Sequence, residues 1–130
     1  MNITWEMYDP MISRLYHRIW NQGYDIIIGV TRGGLVPAVH LSHLLGIPMG
    51  TVQYQLRDGD GKMHIVSQHQ YKKPLIVDDI CDSGATIKGL SSIFKNADFA
   101  VLVDKTGSDL VKYRGEYFES DEWVVFPWEL

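Results

Sequence analysis

The sequence contains little cysteine, no long apolar run and no excess of positive charge. Cys81 is the only cysteine of the 130 residues, so a disulfide framework is excluded. The N-terminal MNITWEMYDP has no basic segment followed by an apolar one, which argues against a secretory signal. No apolar stretch approaches the roughly 18 residues that a membrane-spanning helix requires. We therefore expect a soluble protein of the reducing cytoplasm, with no membrane partner.

The charge balance is acidic. Twelve Lys and Arg stand against sixteen Asp and Glu, a net charge of −4 that disfavours attraction to nucleic acid. The composition, 45% hydrophobic and 12% aromatic, argues against disorder. A chain of this length buries one sizeable core, so residues 1–130 are expected to form a single domain that binds no DNA. Any phosphate that it binds must be held by local geometry.

Alternating strand and helix patterns predict an α/β fold. Asp9-Pro10 has the form of an N-cap followed by proline at the first helical position, with an earlier start near Thr4 as the alternative. Two strand–helix–strand units then follow, at 25–30, 35–45 and 48–54, and at 75–77, 85–95 and 99–104. Such units imply a mostly parallel twisted sheet flanked by helices. The long polar segment 55–73 is expected to be a mobile, functional excursion that contains a short hairpin.

The first of two unusual loops is Gly29-Val-Thr-Arg-Gly-Gly34, which leaves a predicted strand and enters a helix. Ligands of open parallel sheets bind beyond the carboxyl ends of the strands. Paired glycines expose backbone amides, the helix N-terminus adds about half a positive charge, and Arg32 supplies a fork of donors. The loop therefore predicts a phosphate cradle. A tight turn with a solvated arginine is the alternative, because isolated glycine motifs are weak signals.

The second loop belongs to LIVDDICDSGAT, residues 75–86, where an apolar strand runs into three carboxylates. The segment Asp82-Ser-Gly-Ala-Thr86 offers hydroxyls and amides at another helix N-terminus, which suits a phosphate monoester. Asp78 and Asp79 precede it at the expected end of the strand, where their side chains can diverge. Three ionised carboxylates require compensation, which a sugar with vicinal hydroxyls plus Mg²⁺ supplies. The alternative is helix capping by Asp82 or Ser83 beside a solvated Asp pair.

These motifs resemble those of a known family. VDDICDSGAT is similar to the phosphoribosyl pyrophosphate signature of the type I phosphoribosyltransferases, and TRGG after IIIGV resembles their pyrophosphate loop. The stretches TWEMYDPMISRL, TRGGLVPAVHLSHLLGIP and DEWVVFPWEL further resemble, in the same order, the bacterial xanthine-guanine phosphoribosyltransferases. The resemblance spans nearly the whole chain. It implies the type I fold, a mostly parallel sheet flanked by helices, with a small hood formed by the chain ends.

The resemblance assigns a role to each matching residue. Asp78 and Asp79 would engage the ribose hydroxyls and the associated Mg²⁺, and Asp82 would also exchange a proton with N7 of a purine. Lys105 matches the lysine that contacts the 6-oxo group, and Trp123 matches an aromatic residue that stacks on the base. Backbone contacts to the base edge are implied for Val124. The 5′-phosphate would be surrounded by Asp82, Ser83, Gly84, Ala85 and Thr86. The pyrophosphate would be held by Thr31, Arg32, Gly33 and Gly34.

The resemblance also implies a reaction and its partners. A 6-oxopurine, namely guanine, xanthine or hypoxanthine, would displace pyrophosphate from phosphoribosyl pyrophosphate in the presence of Mg²⁺, with Arg32 at the departing group. Arg57 and Lys62 are candidates to touch the pyrophosphate when segment 55–73 closes. The family suggests a homodimer or homotetramer. The alternative is a non-catalytic regulatory protein that binds a phosphoribosyl ligand. An aspartyl-phosphate phosphatase does not fit, because its Asp-x-Asp spacing is absent at Asp78-Asp79.

The remaining conspicuous residues are interpreted as structural. His40 and His43 lie three apart on a predicted helix and suit its surface, and Cys81 is expected to pack in the interior. Without the resemblance, Lys105 would be interpreted as an exposed lysine at a strand end, and Trp123 as a core residue. Core or interface positions are expected for Trp5, Trp20 and Trp128.

Overall fold

The computed structural model describes the backbone of residues 1–57, 60–65 and 71–130, and the side chains of 1–54 and 71–130. The helices are α1 Trp5–Ile19, α2 Leu35–Leu45 and α3 Ala85–Ile93, with a 3-10 turn at Pro127–Glu129. The strands are β1 Ile26–Val30, β2 Met49–Arg57, β3 Asp60–Ile65, β4 Pro74–Cys81, β5 Asp98–Asp104 and β6 Tyr113–Tyr117. Within this described part of the chain, no helix is long and apolar enough to cross a membrane.

The sheet has the order β3-β2-β1-β4-β5-β6. Strands β2, β1, β4, β5 and β6 run parallel, and β3 pairs antiparallel with β2 at one edge. The predicted mostly parallel sheet flanked by helices is therefore confirmed. Strand β1 is buried along its whole length, as expected of a parallel strand covered on both faces.

Helices cover the sheet on both sides. One core cluster joins α1 and α2 to the sheet and the chain end, and includes Leu15, Leu41 and Phe126. The other joins α3 to the opposite side, through Ile87 and Leu90. Successive residues of β1 divide between the two clusters, because side chains alternate along a strand.

The two chain ends meet and form the hood that the resemblance implied. The Ile3 N–H donates to the Val125 carbonyl at 2.8 Å, and the Val125 N–H donates to the Met1 carbonyl at 2.9 Å. Phe126, next in the chain, is almost completely buried in the core cluster under α1. The segment around Val125 is therefore held to the N-terminal segment by backbone hydrogen bonds.

Helix α1 begins earlier than the Asp9-Pro10 pattern predicted. Thr4 is the N-cap, and its hydroxyl accepts the Met7 N–H at 3.2 Å. Pro10 lies inside the helix, where it leaves the Glu6 carbonyl without its usual helical donor. The cap at Asp9 was therefore wrong, and the alternative start near Thr4 is confirmed.

Two strands, β4 and β6, differ from the sequence prediction, whereas the predicted hairpin is present. Strand β4 continues to Cys81 instead of ending at Val77, so Asp78 and Asp79 lie within it. The short hairpin predicted in 55–73 is present as β2 and β3, whereas the side chains of Arg57 and Lys62 lie outside the described residues. Strand β6 was not predicted, because YRGEY is short, charged and interrupted by glycine. A Cβ on that glycine would lie 2.7 Å from the Leu102 carbonyl, so close packing of β6 against β5 and α1 requires it.

Candidate active site

Three cavities lie side by side at the carboxyl ends of the strands. The first, of about 540 Å³, is lined by Arg32, Gly33, Asp79, Trp128 and Glu129. The second, of about 210 Å³, is lined by every residue from 78 to 87. The third, of about 380 Å³, is lined by Asp82, Lys105, Glu119, Ser120 and Asp121. Asp79 lines the first two cavities and Asp82 the last two, so the three cavities are adjacent.

The loop after β1 packs directly against Asp79. A Cβ on Gly33 would lie 2.0 Å from Asp79 Oδ2, and a Cβ on Gly34 would lie 2.4 Å from the Val77 carbonyl oxygen. Both positions therefore exclude any side chain. The Gly34 N–H donates to the Val30 carbonyl at 2.9 Å, the Thr31–Arg32 peptide is cis, and the Arg32 side chain is exposed. The loop is fixed at both ends and carries its guanidinium at the first cavity.

The loop after β4 leads into the N-terminus of α3. Gly84 adopts a left-handed conformation with φ 84°, which favours glycine, and the helix starts at Ala85. In this described segment no side chain caps the helix from the N-cap position, although Ser83 Oγ accepts the Ala85 N–H at 3.3 Å. Of the two residues in the alternative interpretation, Asp82 therefore does not cap the helix, whereas Ser83 accepts one amide of its first turn. The other amides of that turn can bind an anion in the second cavity.

Asp78 and Asp79 are neighbouring carboxyl groups in a buried strand. Burial, followed by the charge of Asp79, raises the pKa of Asp78 well above its usual range. Burial also raises the pKa of Asp79, against the opposing effect of hydrogen bonding to Asp78, and the nearby Glu129 charge adds to the rise. The Asp79 N–H donates to Asp78 Oδ1 at 2.8 Å. The protein environment therefore disfavours two negative charges at these positions, and a cation or a hydroxyl-rich ligand would compensate them.

These two carboxylates also suit Mg²⁺. This ion prefers oxygen ligands and is usually bound through one or two carboxylates together with substrate phosphates, not by an all-protein cage. Asp78 and Asp79 supply that number at the edge of the two cavities, and their raised pKa values indicate uncompensated negative charge. Among the residues that the structure describes, no group of three or more His, Cys, Asp or Glu side chains could hold a metal.

Lys105 and Asp82 face each other across the third cavity. Lys105 Nζ lies 3.8 Å from Asp82 Oδ1 and donates to the backbone carbonyl of Glu122. The Lys105 side chain is only 8% exposed, so the interpretation as an exposed strand-end lysine was wrong. Trp123 is 76% exposed, so it is not the core residue that the sequence alone suggested, whereas Val124 is buried. The lysine thus connects the loop after β4 to the segment that carries Trp123.

Asp104 is a structural acid that the sequence analysis missed. It is completely buried at the end of β5 and accepts the Thr106 N–H at 2.9 Å, the Thr106 hydroxyl at 2.7 Å and Arg114 Nε at 2.8 Å. Burial alone would raise the pKa of Asp104, but hydrogen bonds from Thr106 and the Arg114 ion pair lower it. These contacts fix the turn that follows Lys105. An acid at the end of a buried strand, followed by Thr-Gly, was the available signal.

Most residues that were interpreted as structural lie outside the three cavities. Cys81 is an exception, because it lies in the lining of the second cavity, but it is buried, and burial raises the pKa of its thiol, as suits a packing role. His40 Nδ1 lies 2.9 Å from the Tyr8 hydroxyl on the flank of α2. Trp5 and Trp20 are 51% and 58% exposed, so neither is a core residue, and an interface role stays a prediction. Trp128 differs, because it stacks on Phe126 at 5.0 Å and also lines the first cavity. Its place there, with Glu129, was not predicted.

A family model for the phosphoribosyl transferase domain matches residues 9–130. The chain therefore belongs to this family and is a phosphoribosyltransferase.

Individual relatives agree with this assignment. A xanthine-guanine phosphoribosyltransferase from Nitratidesulfovibrio vulgaris is 30% identical, over 98% of this chain and 83% of its own length. A purine phosphoribosyltransferase structure from Pyrococcus horikoshii superposes with a TM-score of 0.83 at 33% identity, and covers 100% of this chain and 94% of its own. A protein from Neisseria gonorrhoeae, whose structure contains bound ppGpp, gives a TM-score of 0.76 at 26% identity over 100% of this chain and 90% of its own.

Proposed function

We propose that the protein transfers the 5-phosphoribosyl group from phosphoribosyl pyrophosphate to a 6-oxopurine and releases pyrophosphate and a nucleoside monophosphate. The single observation that carries the proposal is that three adjacent cavities share Asp79 and Asp82 as lining residues. The first matches pyrophosphate, the second a phosphorylated ribose and the third a base. The names of the Nitratidesulfovibrio and Pyrococcus relatives support a purine as acceptor.

Binding of the sugar phosphate uses local donors. The amides at the start of α3, with the hydroxyls of Ser83 and Thr86, surround the 5′-phosphate, and the chain's net charge of −4 makes such local donors necessary. Arg32 and the Gly33 amide hold the pyrophosphate at the first cavity, and Gly34, whose N–H donates to the Val30 carbonyl, keeps the loop in place. Asp78 and Asp79 accept hydrogen bonds from the ribose hydroxyls and hold Mg²⁺, which when bound neutralises charge on the departing pyrophosphate.

Catalysis in this proposal depends on orientation and on charge set in place beforehand. A purine nitrogen displaces pyrophosphate at C1, so no protein nucleophile is required. The transition state resembles an oxocarbenium ion, which the nearby carboxylates stabilise. Asp82 exchanges a proton with N7 of the base, and Lys105 donates to the 6-oxo group. Trp123, exposed at the rim, stacks on the purine, and backbone groups of Val124 meet the base edge.

The proposal is tested by measuring pyrophosphate release from phosphoribosyl pyrophosphate and Mg²⁺ with guanine, xanthine, hypoxanthine, adenine and uracil in turn. Pyrophosphate release with a 6-oxopurine is expected. The rate should fall by about 100-fold or more in Asp82→Asn, which keeps the shape of the side chain but removes its ability to accept a proton. We also propose that segment 55–73 excludes water from the site. Hydrolysis of phosphoribosyl pyrophosphate in the absence of a purine should then be slow. Release with uracil or adenine alone would refute the 6-oxopurine assignment.

The second candidate is a regulatory protein that binds a phosphoribosyl or related phosphorylated ligand without turnover. The observation in its favour is the similarity to the gonococcal protein, whose structure contains ppGpp. Equilibrium binding distinguishes the two. A regulator would bind phosphoribosyl pyrophosphate or ppGpp tightly yet release no pyrophosphate with any base, whereas the enzyme releases it in proportion to the purine consumed.

A further inference from the structure

The cavity that holds Lys105 is strongly acidic. Its lining contains the three carboxylates of Asp82, Glu119 and Asp121, against the single ammonium of Lys105. That ammonium is already engaged, because it donates to the Glu122 carbonyl and lies 3.8 Å from Asp82. A base that enters this cavity therefore meets an excess of negative charge.

The three 6-oxopurines differ in charge at this point. Xanthine loses a proton near neutral pH, whereas hypoxanthine and guanine remain neutral. Two carboxylates on the cavity wall, Glu119 and Asp121, repel an anion that approaches Lys105. They also accept hydrogen bonds from ring N–H or amino groups, which neutral purines retain. Discrimination of this kind arises from a repulsive element, not only from better contacts to the preferred base.

We propose that Glu119 and Asp121 make this protein select neutral 6-oxopurines over the xanthine anion. The inference rests on the proposed function, since it takes the third cavity as the base subsite. It departs from the name of the Nitratidesulfovibrio relative, which includes xanthine. Glu119 and Asp121 act as specificity-determining residues, distinct from Asp82 and Lys105, which contact the reacting base.

The exposure of Glu119 and Asp121 limits how strongly they can repel the xanthine anion. Both carboxylates are exposed, so solvent and salt screen their repulsion, and exposed charge pairs interact by only about 0.2–1 kcal/mol. Neutralising either one should therefore raise kcat/KM for xanthine, relative to hypoxanthine, by about 1.5- to 5-fold. The double variant should show a larger change than either single variant, because both carboxylates line the same cavity. Added salt should reduce the discrimination in the parent protein.

The test is the ratio of kcat/KM for xanthine to that for hypoxanthine, measured below and above the pH at which xanthine ionises. Titration of protein groups common to both substrates cancels in this ratio. In the parent protein the ratio should fall as xanthine becomes anionic. In Glu119→Gln, Asp121→Asn and the double variant the fall should be progressively smaller. Glu116→Gln is the matched control, since this exposed glutamate lies on β6 and outside the third cavity.

Three results would overturn the inference. A ratio that does not fall as xanthine ionises would show that the cavity does not reject the anion. A fall that persists unchanged in the double variant, or that Glu116→Gln reduces equally, would remove Glu119 and Asp121 as its cause. In all three cases turnover of hypoxanthine would leave the proposed function intact. Failure of every 6-oxopurine to react would instead overturn the proposed function together with this inference.

Discussion

A methyl group at position 33 should separate the pyrophosphate loop from Asp79. A Cβ built on Gly33 lies 2.0 Å from Asp79 Oδ2 and 2.5 Å from its Cγ, whereas ordinary contacts are 3.4 Å or longer. Gly33→Ala therefore displaces the loop or the carboxylate by about 1.4 Å. Misplacement by about 1 Å can reduce a rate about 100-fold. We expect kcat/KM for phosphoribosyl pyrophosphate to fall by about that factor, and the free energy of unfolding by about 1–3 kcal/mol.

Two measurements separate this steric effect from general destabilisation. Gly23→Ala is the control, because its φ of 80° strains alanine but nothing lies within 4 Å of the new Cβ. That variant should lose about 1 kcal/mol of stability with unchanged kcat/KM. In an Asp79→Ala background the methyl group on residue 33 has room, so its effect on the free energy of unfolding in urea should shrink. Equal destabilisation in both backgrounds, or full activity of Gly33→Ala, would refute the proposed contact.

The raised pKa values of Asp78 and Asp79 mean that the folded state favours the neutral form of each carboxyl group. Their contribution to the free energy of unfolding is therefore full below the ordinary aspartate pKa of about 3.9, and it is lost as pH rises through the raised pKa values. Without ligand, Asp78→Asn or Asp79→Asn should therefore raise the free energy of unfolding in urea at neutral pH. Parallel pH profiles of this free energy in variant and parent would contradict the reasoning. The pKa of Asp104 is lowered, so its effect on stability has the opposite pH dependence. Its contribution to the free energy of unfolding is present above the ordinary aspartate pKa and is lost as pH falls through the lowered pKa. Asp104→Ala should reduce the free energy of unfolding by about 3–5 kcal/mol, because it removes the buried partner of Arg114. Lys112→Ala removes an exposed ion pair with Asp98 and a cation–π contact with Tyr113, so its loss should be only about 1 kcal/mol, and similar losses in the two variants would contradict the buried role of Asp104. Trp123→Ala should raise KM for the purine about 5-fold through lost stacking. KM for phosphoribosyl pyrophosphate and the thermal midpoint of unfolding should not change, and a shift of both KM values would argue against stacking.

Local patterns in the sequence were sufficient for most of the fold. The predicted helix 35–45 matches α2 in both bounds, because Gly46 adopts the left-handed conformation that ends a helix. The prediction failed where distant contacts outweigh local preference. Pro10 lies inside α1, since Thr4 caps the helix earlier and Tyr8 is buried. Strand β6 forms despite its charged sequence, because its glycine allows close packing on β5 and α1.

In the candidate site, as in the fold, some features follow from local sequence and others from distant contacts. The motifs TRGG and DDICDSGAT are contiguous, and the chemistry of their amides, hydroxyls and carboxylates can be inferred from residue type and order alone. The burial of Lys105 and the exposure of Trp123 ran opposite to what each residue suggests by itself, because burial depends on which segments cover a side chain. The acid Asp104 was invisible for the same reason, as its donors come from the following turn and from β6.

The sequence by itself thus determined helix α2, the two strand–helix–strand units and the two loops that we propose to bind anions, because these depend on interactions among neighbours in the chain. Only the tertiary structure decided that Asp79 touches Gly33, that Lys105 spans from Asp82 to the Glu122 carbonyl, that the two chain ends bond to each other, and that Trp128 lines the first cavity. Such contacts join residues far apart in sequence. Their distances are set by packing of the whole sheet and its helices, which no local pattern contains.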